Sequence, residues 1–298
     1  MSRGSERLRA VLARPGCTSV APIFDPLSAR IAEMIGCEVV KLSGSVGKFA
    51  NLAVPDGVPM TNMSDLVDVV RRVTRMADVT LTVDADDGGS ALGMLRAMRE
   101  LEAAGVSGIE LEDNSVPSHF SDLRHGAMLS KEDQVNKLKA AVAAKRDPST
   151  VVFGRSSALS MLPLDEALDR IAAYAKTGVD AIMLPGQGKR GLSPNPRSDI
   201  EQVQKVANLP LCISGLSADL LADEKWMNAN RVKLRFNGQA PYRMAVKAIY
   251  DALKHINSGG AATDFKDRWA PDAMLEELTH TAELRAWEAK YDPAEKKQ

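Results

Sequence analysis

Cysteine is scarce in this chain. Among 298 residues there are three, Cys17, Cys37 and Cys212, widely spaced and without a Cys-x-x-Cys pair. So sparse and odd a count fits a reducing compartment better than a disulfide framework, so a cytoplasmic protein is expected. Each cysteine reads as a small apolar residue rather than a nucleophile. Long apolar runs are also missing, none approaching the roughly 18 residues that cross a bilayer. The first residues, MSRGSERLRAVLARPG, have the charge of a surface helix and no signal-peptide core. Net charge is nearly absent, with 38 Lys and Arg against 39 Asp and Glu. That balance removes the electrostatic motive for a nucleic-acid or membrane partner. The four histidines, His119, His125, His255 and His280, show no metal-ligand spacing.

What is present is alternation. Short β-branched or apolar runs recur at 18–24, 38–43, 79–84, 107–112, 150–155, 180–185, 209–214 and 231–237. Between them lie stretches with helical spacing, among them 64–76, 91–104, 131–145, 164–177 and 240–256. Gly36, Gly105 and Gly178 stand where helices end before the next strand, as left-handed caps do. Eight strands separated by helices argue for an α/β fold of the (β/α)8 TIM-barrel type, with a doubly wound open sheet as the alternative. No compositional boundary divides the chain, so one barrel domain over 1–298 is expected. Its additions are an N-terminal helix, a long loop at 113–130 in the place of an active-site lid, and a C-terminal helical extension over 257–298. The extension carries Leu275, Leu278, Leu284 and Trp287, which need a partner surface on this barrel or on a neighbouring subunit.

In a parallel barrel the C-terminal strand ends share one face, where catalytic side chains collect. The polar residues there are Ser43 and Ser45 after strand two, Asp84 and Asp86 after strand three, and Glu112 and Asp113 after strand four. Arg155, Ser156 and Ser157 follow strand five, Ser214 closes strand seven, and Asn237 and Gln239 close strand eight. Asp84 and Asp86, one residue apart, are expected to leave the strand on one face. With Glu112 they make an oxygen-only cluster suited to Mg2+ or Mn2+. A calcium loop is excluded, because counting from Asp84 puts glycine at position five and Leu95 at position twelve. SGSVGK at 43–48 lacks the Walker spacing, since Leu42 stands where the first glycine belongs. It can still offer backbone N–H groups to a carboxylate, and Lys48 is expected to be solvated.

The ordered segments FDPLSARIAEMIGCEVVKLSGS, VPDG, VDADDG, ELEAAGVSGIELED and GRSSA together resemble the isocitrate lyase/phosphoenolpyruvate mutase superfamily. LEDNSVPSHF and NGQAPYRMAVKAIYDAL are most similar to its oxaloacetate decarboxylase branch. The resemblance implies a Mg2+-dependent barrel, a homotetramer built as a dimer of dimers with exchanged helices, and a small 2-oxo or 2-hydroxy acid as substrate. It implies that Ser43, Gly44 and Ser45 bind the substrate carboxylate, joined by Asn237. Asp84, Asp86 and Glu112 would hold the metal, with Asp56 beside it. Arg155 would bind a carboxylate or an oxyanion, and no organic cofactor is needed. The chain departs from its relatives in the lid, which has neither the cysteine of the lyases nor the lysine of the mutases. It also departs at Gly89, where an aromatic residue is usual, and at Gln239, where the decarboxylase branch has histidine. The expected activity is Mg2+-dependent decarboxylation of a small 2-oxo dicarboxylic acid such as oxaloacetate. The alternatives are P–C chemistry on a phosphonate, a reaction of another specialised 2-oxo or 2-hydroxy acid, or a binding protein whose catalysis has lapsed.

Overall fold

The structure, a computed structural model, describes residues 3–56, 62–115, 127–185, 195–236 and 238–292. Eight strands run β1 (Thr18–Ile23), β2 (Val39–Leu42), β3 (Leu81–Asp84), β4 (Gly108–Glu112), β5 (Val151–Arg155), β6 (Ala181–Leu184), β7 (Leu211–Ser214) and β8 (Val232–Phe236). All neighbours pair in parallel, and the register Val20↔Phe236 joins β1 to β8. The sheet therefore closes as a barrel in sequence order, and the open doubly wound alternative is excluded. Gly36, Gly105 and Gly178 take φ of 75°, 91° and 93°, the left-handed caps their positions announced.

The strands are short and apolar because both faces are covered. Outside, they pack on amphipathic helices with local start signals. Helix α1 is Arg3–Ala13, α2 is Pro26–Met34, α3 is Gly44–Leu52, α4 is Met63–Met76 and α5 is Ala91–Ala103. Asp25 and Ser28 form a capping box on α2, Asn62 and Asp65 another on α4, and Ser90 caps α5. Val67, Val70 and Val73, spaced by three, bury one face of α4. Inside the barrel, Leu8, Val11 and Leu12 of α1 pack with Val20, Val39, Val151, Phe153 and Leu234. Arg9 of α1 donates to the Ser149 carbonyl at 2.7 Å and pairs with Asp180 at 2.9 Å. Both partners precede strands, so α1 closes the N-terminal mouth and leaves the C-terminal mouth for chemistry. Packing there is tight, since a Cβ on Gly108 would lie 2.6 Å from Phe153 and 2.8 Å from Leu8.

The chain falls into two compact units, residues 1–240 and 241–298. The second unit is helical, and within it His255 Nε2 meets Asp264 at 2.7 Å. Met244, Ile249, Leu253 and Trp287 of this unit are exposed. Among the described residues no helix is long and apolar enough to cross a membrane.

Candidate active site

Strand register sets the site. Glu112 of β4 stands opposite Arg155 of β5, and Asp84 of β3 opposite Glu110 of β4. Arg155 reaches across these strands. Its guanidinium hydrogen-bonds Asp84, pairs with Glu112 at 2.9 Å and lies 3.9 Å from Glu110. Asp86 lies past the end of β3 in a turn with left-handed φ of 52°, so strand alternation does not place it. The turn does: the Asp86 N–H donates to Asp84 Oδ1 at 3.2 Å, and its carbonyl accepts from the Glu112 N–H at 2.9 Å. The two aspartates converge on Gly44, where a Cβ would sit 3.1 Å from Asp86 Oδ1 and 3.4 Å from Asp84 Oδ2. A larger residue would crowd both carboxylates.

Lys48 corrects an expectation. It is buried, and donates to Asp86 at 3.0 Å and to Asp56 at 3.3 Å. Asp56, with a side chain 58% exposed, thus joins the cluster through Lys48. Ser43 begins α3 without capping it through its side chain. Its hydroxyl lies 3.2 Å from that of Ser45, which accepts from the Gln239 amide at 2.7 Å. Ser43, Gly44, Ser45 and Gln239 therefore form one polar edge beside the carboxylates, at a helix N-terminus that favours an anion.

Other residues at the strand ends turn elsewhere. Asp113 is buried and accepts from the Ser156 hydroxyl at 2.7 Å, the Ser157 N–H at 2.9 Å and the Tyr174 hydroxyl at 3.3 Å. It anchors the loop after β5 instead of facing Arg155. Asn237 lies outside the described residues, as do His119 and His125. So does the middle of the expected lid at 113–130, although its base is described. There Asn114 and Met128 form an antiparallel bridge, and the Leu129 N–H donates to the Asp113 carbonyl at 2.8 Å.

The sequence reading missed a pair within the barrel. Lys41 and Glu110 are both buried and meet at 2.5 Å, with Lys41 4.6 Å from the Phe236 ring centroid. Both lie two residues before a site residue on the same strand face, Lys41 before Ser43 and Glu110 before Glu112, so period-two spacing was the available signal. Glu110 Oε1 and Arg155 Nε are buried with no hydrogen-bond partner among the described residues.

The ion pairs link Asp56, Asp84, Asp86, Glu110 and Glu112 to Lys41, Lys48 and Arg155. With all five carboxylates ionised, as holding a cation requires, five against three cations leave two negative charges uncompensated. Burial opposes the charge of Asp84, but Arg155, Lys41 and Lys48 outweigh it and hold that carboxyl at about 2. Burial, with the neighbouring Asp84 charge, pushes Asp86 up to about 6 against the pull of Lys48. Burial pushes Glu112 up to about 8 despite Arg155, and Asp84, Asp86 and Asp56 push the same way. Among the described residues no three Asp, Glu, His or Cys side chains close on one point as a fully protein-held ion requires. The oxygen-only donors and the excess of two charges nevertheless suit a divalent cation that keeps most of its waters, as Mg2+ does.

This electrostatic load has a measurable consequence. The folded, metal-free protein holds a proton on Glu112 between its usual value of 4.5 and about 8, whereas the unfolded chain does not. Stability in EDTA is therefore expected to fall as pH rises through that window, by about 1.4 kcal/mol per pH unit for one such proton. Urea denaturation at pH 5.5 and pH 8 tests this, and saturating Mg2+ should flatten the slope. Equal stabilities in EDTA at the two pH values would contradict it.

Comparison with known proteins gives the family. The family described as phosphoenolpyruvate phosphomutase matches residues 8–257. A Paraburkholderia xenovorans protein named oxaloacetate decarboxylase is 34% identical over 286 residues, spanning 96% of this chain and 92% of its own. A Rhodopseudomonas palustris protein of the same name is 36% identical over 255 residues, 85% of each chain. The structure of phosphonopyruvate hydrolase in complex with oxalate and Mg++ matches with a TM-score of 0.83 at 27% identity, over 98% of this chain and 99% of that one. With its barrel, its strand-end carboxylates and these matches along nearly its whole length, the chain belongs to the phosphoenolpyruvate phosphomutase family, within the isocitrate lyase/phosphoenolpyruvate mutase superfamily of lyases and mutases.

Proposed function

We propose that this protein is a divalent-metal-dependent decarboxylase of a small 2-oxo dicarboxylic acid of the oxaloacetate type. The observation that carries the reading is Arg155 fixed between Asp84 and Glu112, in a cluster two positive charges short. The names of relatives at 34–36% identity support the same reaction class. Asp84, Asp86 and Glu112 would hold the metal directly or through water, with Asp56 beside them. Bound there, Mg2+ would act as a Lewis acid on the 2-oxo group.

The chain's own residues do the rest. The small-residue edge of Ser43, Gly44 and Ser45 presents N–H and hydroxyl groups to the carboxylate next to the 2-oxo group, and Gln239 fixes the Ser45 hydroxyl. When the C3–C4 bond breaks, its electron pair moves toward C2 and negative charge grows on the 2-oxo oxygen, while CO2 leaves. The Arg155 guanidinium, already oriented by its carboxylates, stabilises that charge at no cost in reorganisation. A proton from water then completes the product at C3. Pyruvate release from oxaloacetate, with and without EDTA, tests the reading. The parent should be active only with metal, and Asp86→Ala should lose about two orders of magnitude or more in kcat/KM. No metal-dependent turnover of oxaloacetate would overturn it.

A second reading, cleavage of a P–C bond, is favoured by the likeness to phosphonopyruvate hydrolase at 27% identity. Phosphate release from phosphonopyruvate, assayed beside oxaloacetate, separates the two. The exposed apolar side chains of residues 241–298 support a homo-oligomer, which size-exclusion chromatography tests.

A further inference from the structure

A cavity of about 470 Å³ adjoins the carboxylate cluster and shares Ser43, Gly44, Lys48, Asp84 and Asp86 with it. It continues between α3, α4 and α5, where Leu42, Leu52, Met63, Leu66 and Val69 line it together with Asn51 and Asn62. Its volume lies within the range of about 300–1,000 Å³ typical of ligand pockets, much more than a four-carbon diacid fills. Gly88, Gly89 and Gly93 line the cavity, and no atom lies within 4 Å of where a Cβ on Gly89 would stand. A side chain at Gly89 would project into open space, and this chain places none there.

The rim decides the chemistry of the occupant. Arg72 and Arg96 line it, but so do Asp65 and Asp68, and Arg96 is already paired with Glu100 at 2.7 Å. Charge is balanced there, so nothing selects an anionic tail, and the five apolar side chains offer an uncharged substituent a surface to bury.

We propose that this cavity is a subsite for an unbranched alkyl substituent, so that the substrate is a 2-oxo dicarboxylic acid alkylated at C3 and the product a longer 2-oxo monocarboxylic acid. This rests on the decarboxylase reading for the name of the reaction, but on the cavity alone for the subsite. Burying each methylene contributes a roughly fourfold gain in affinity.

The test is calorimetric titration of the full-length protein with Mg2+ and a series of 2-oxo monocarboxylates, which carry no second carboxylate to lose. Affinity should rise from pyruvate through 2-oxobutanoate to 2-oxooctanoate, by about 250-fold over the last interval if all four added methylenes are buried. Leu66→Trp should abolish that rise while leaving pyruvate affinity within about twofold, and Met63→Trp serves if the first variant does not fold. Affinity that is flat or declining along the series overturns the subsite, as does a rise that survives both variants. Oxaloacetate turnover measured in parallel keeps the two ideas apart. A chain-length gain without turnover of any diacid leaves the subsite standing and removes the decarboxylase. Turnover with a flat series does the reverse.

Discussion

Arg155→Met is expected to lower kcat/KM for the metal-dependent reaction by roughly a hundredfold to a thousandfold, the scale for removing one donor aimed at developing charge. The same change should destabilise the fold, because Asp84, Glu110 and Glu112 all face this guanidinium. Breaking a buried ion pair from one side costs about 3–5 kcal/mol. The carboxylates left behind can take up protons, so the loss should be larger at pH 8 than at pH 6. Mg2+ should recover part of it, because a divalent cation supplies charge at the same place. Urea denaturation at the two pH values, with and without Mg2+, reads all three effects. A variant as stable as the parent at pH 8 in EDTA would mean that the three carboxylates do not depend on Arg155.

The second large effect is expected inside the barrel. Lys41→Met leaves Glu110 fully buried, with one oxygen already unpartnered and the other 3.9 Å from Arg155. A destabilisation of about 3–5 kcal/mol at neutral pH is expected. The double variant Lys41→Met with Glu110→Leu should recover most of it, since apolar replacement of a buried pair is often neutral or better. The coupling between the two changes, read from a double-mutant cycle of denaturation midpoints, should therefore be large. A single variant within about 0.5 kcal/mol of the parent would show that Lys41 is dispensable to Glu110.

Much of the site was legible before any coordinates. Asp84, Glu112 and Arg155 end consecutive strands, and a parallel barrel turns such positions to one mouth. The expectation of a solvated Lys48 fails because Asp86 and Asp56, distant in sequence or beyond the helix, draw it into the cluster. Asp113 shares the end of strand four with Glu112, but adjacent residues on an extended chain point to opposite faces. It serves Ser156, Ser157 and Tyr174 instead. Asp86 lies beside Asp84, but through a left-handed turn rather than through the strand alternation that the spacing suggests.

By itself, the sequence determined the alternation of strands and helices, their caps, the family, and the identity of the acidic strand ends. These are local properties, written in periodicity and in residue types at fixed spacing. Only the tertiary structure decided barrel closure through β1 and β8, the buried Lys41–Glu110 pair, the excess of carboxylates over cations around Arg155, and the cavity beside them. Those depend on which residues from distant segments meet across strands. Such meetings are set by register and packing over the whole fold, which no local window of sequence contains.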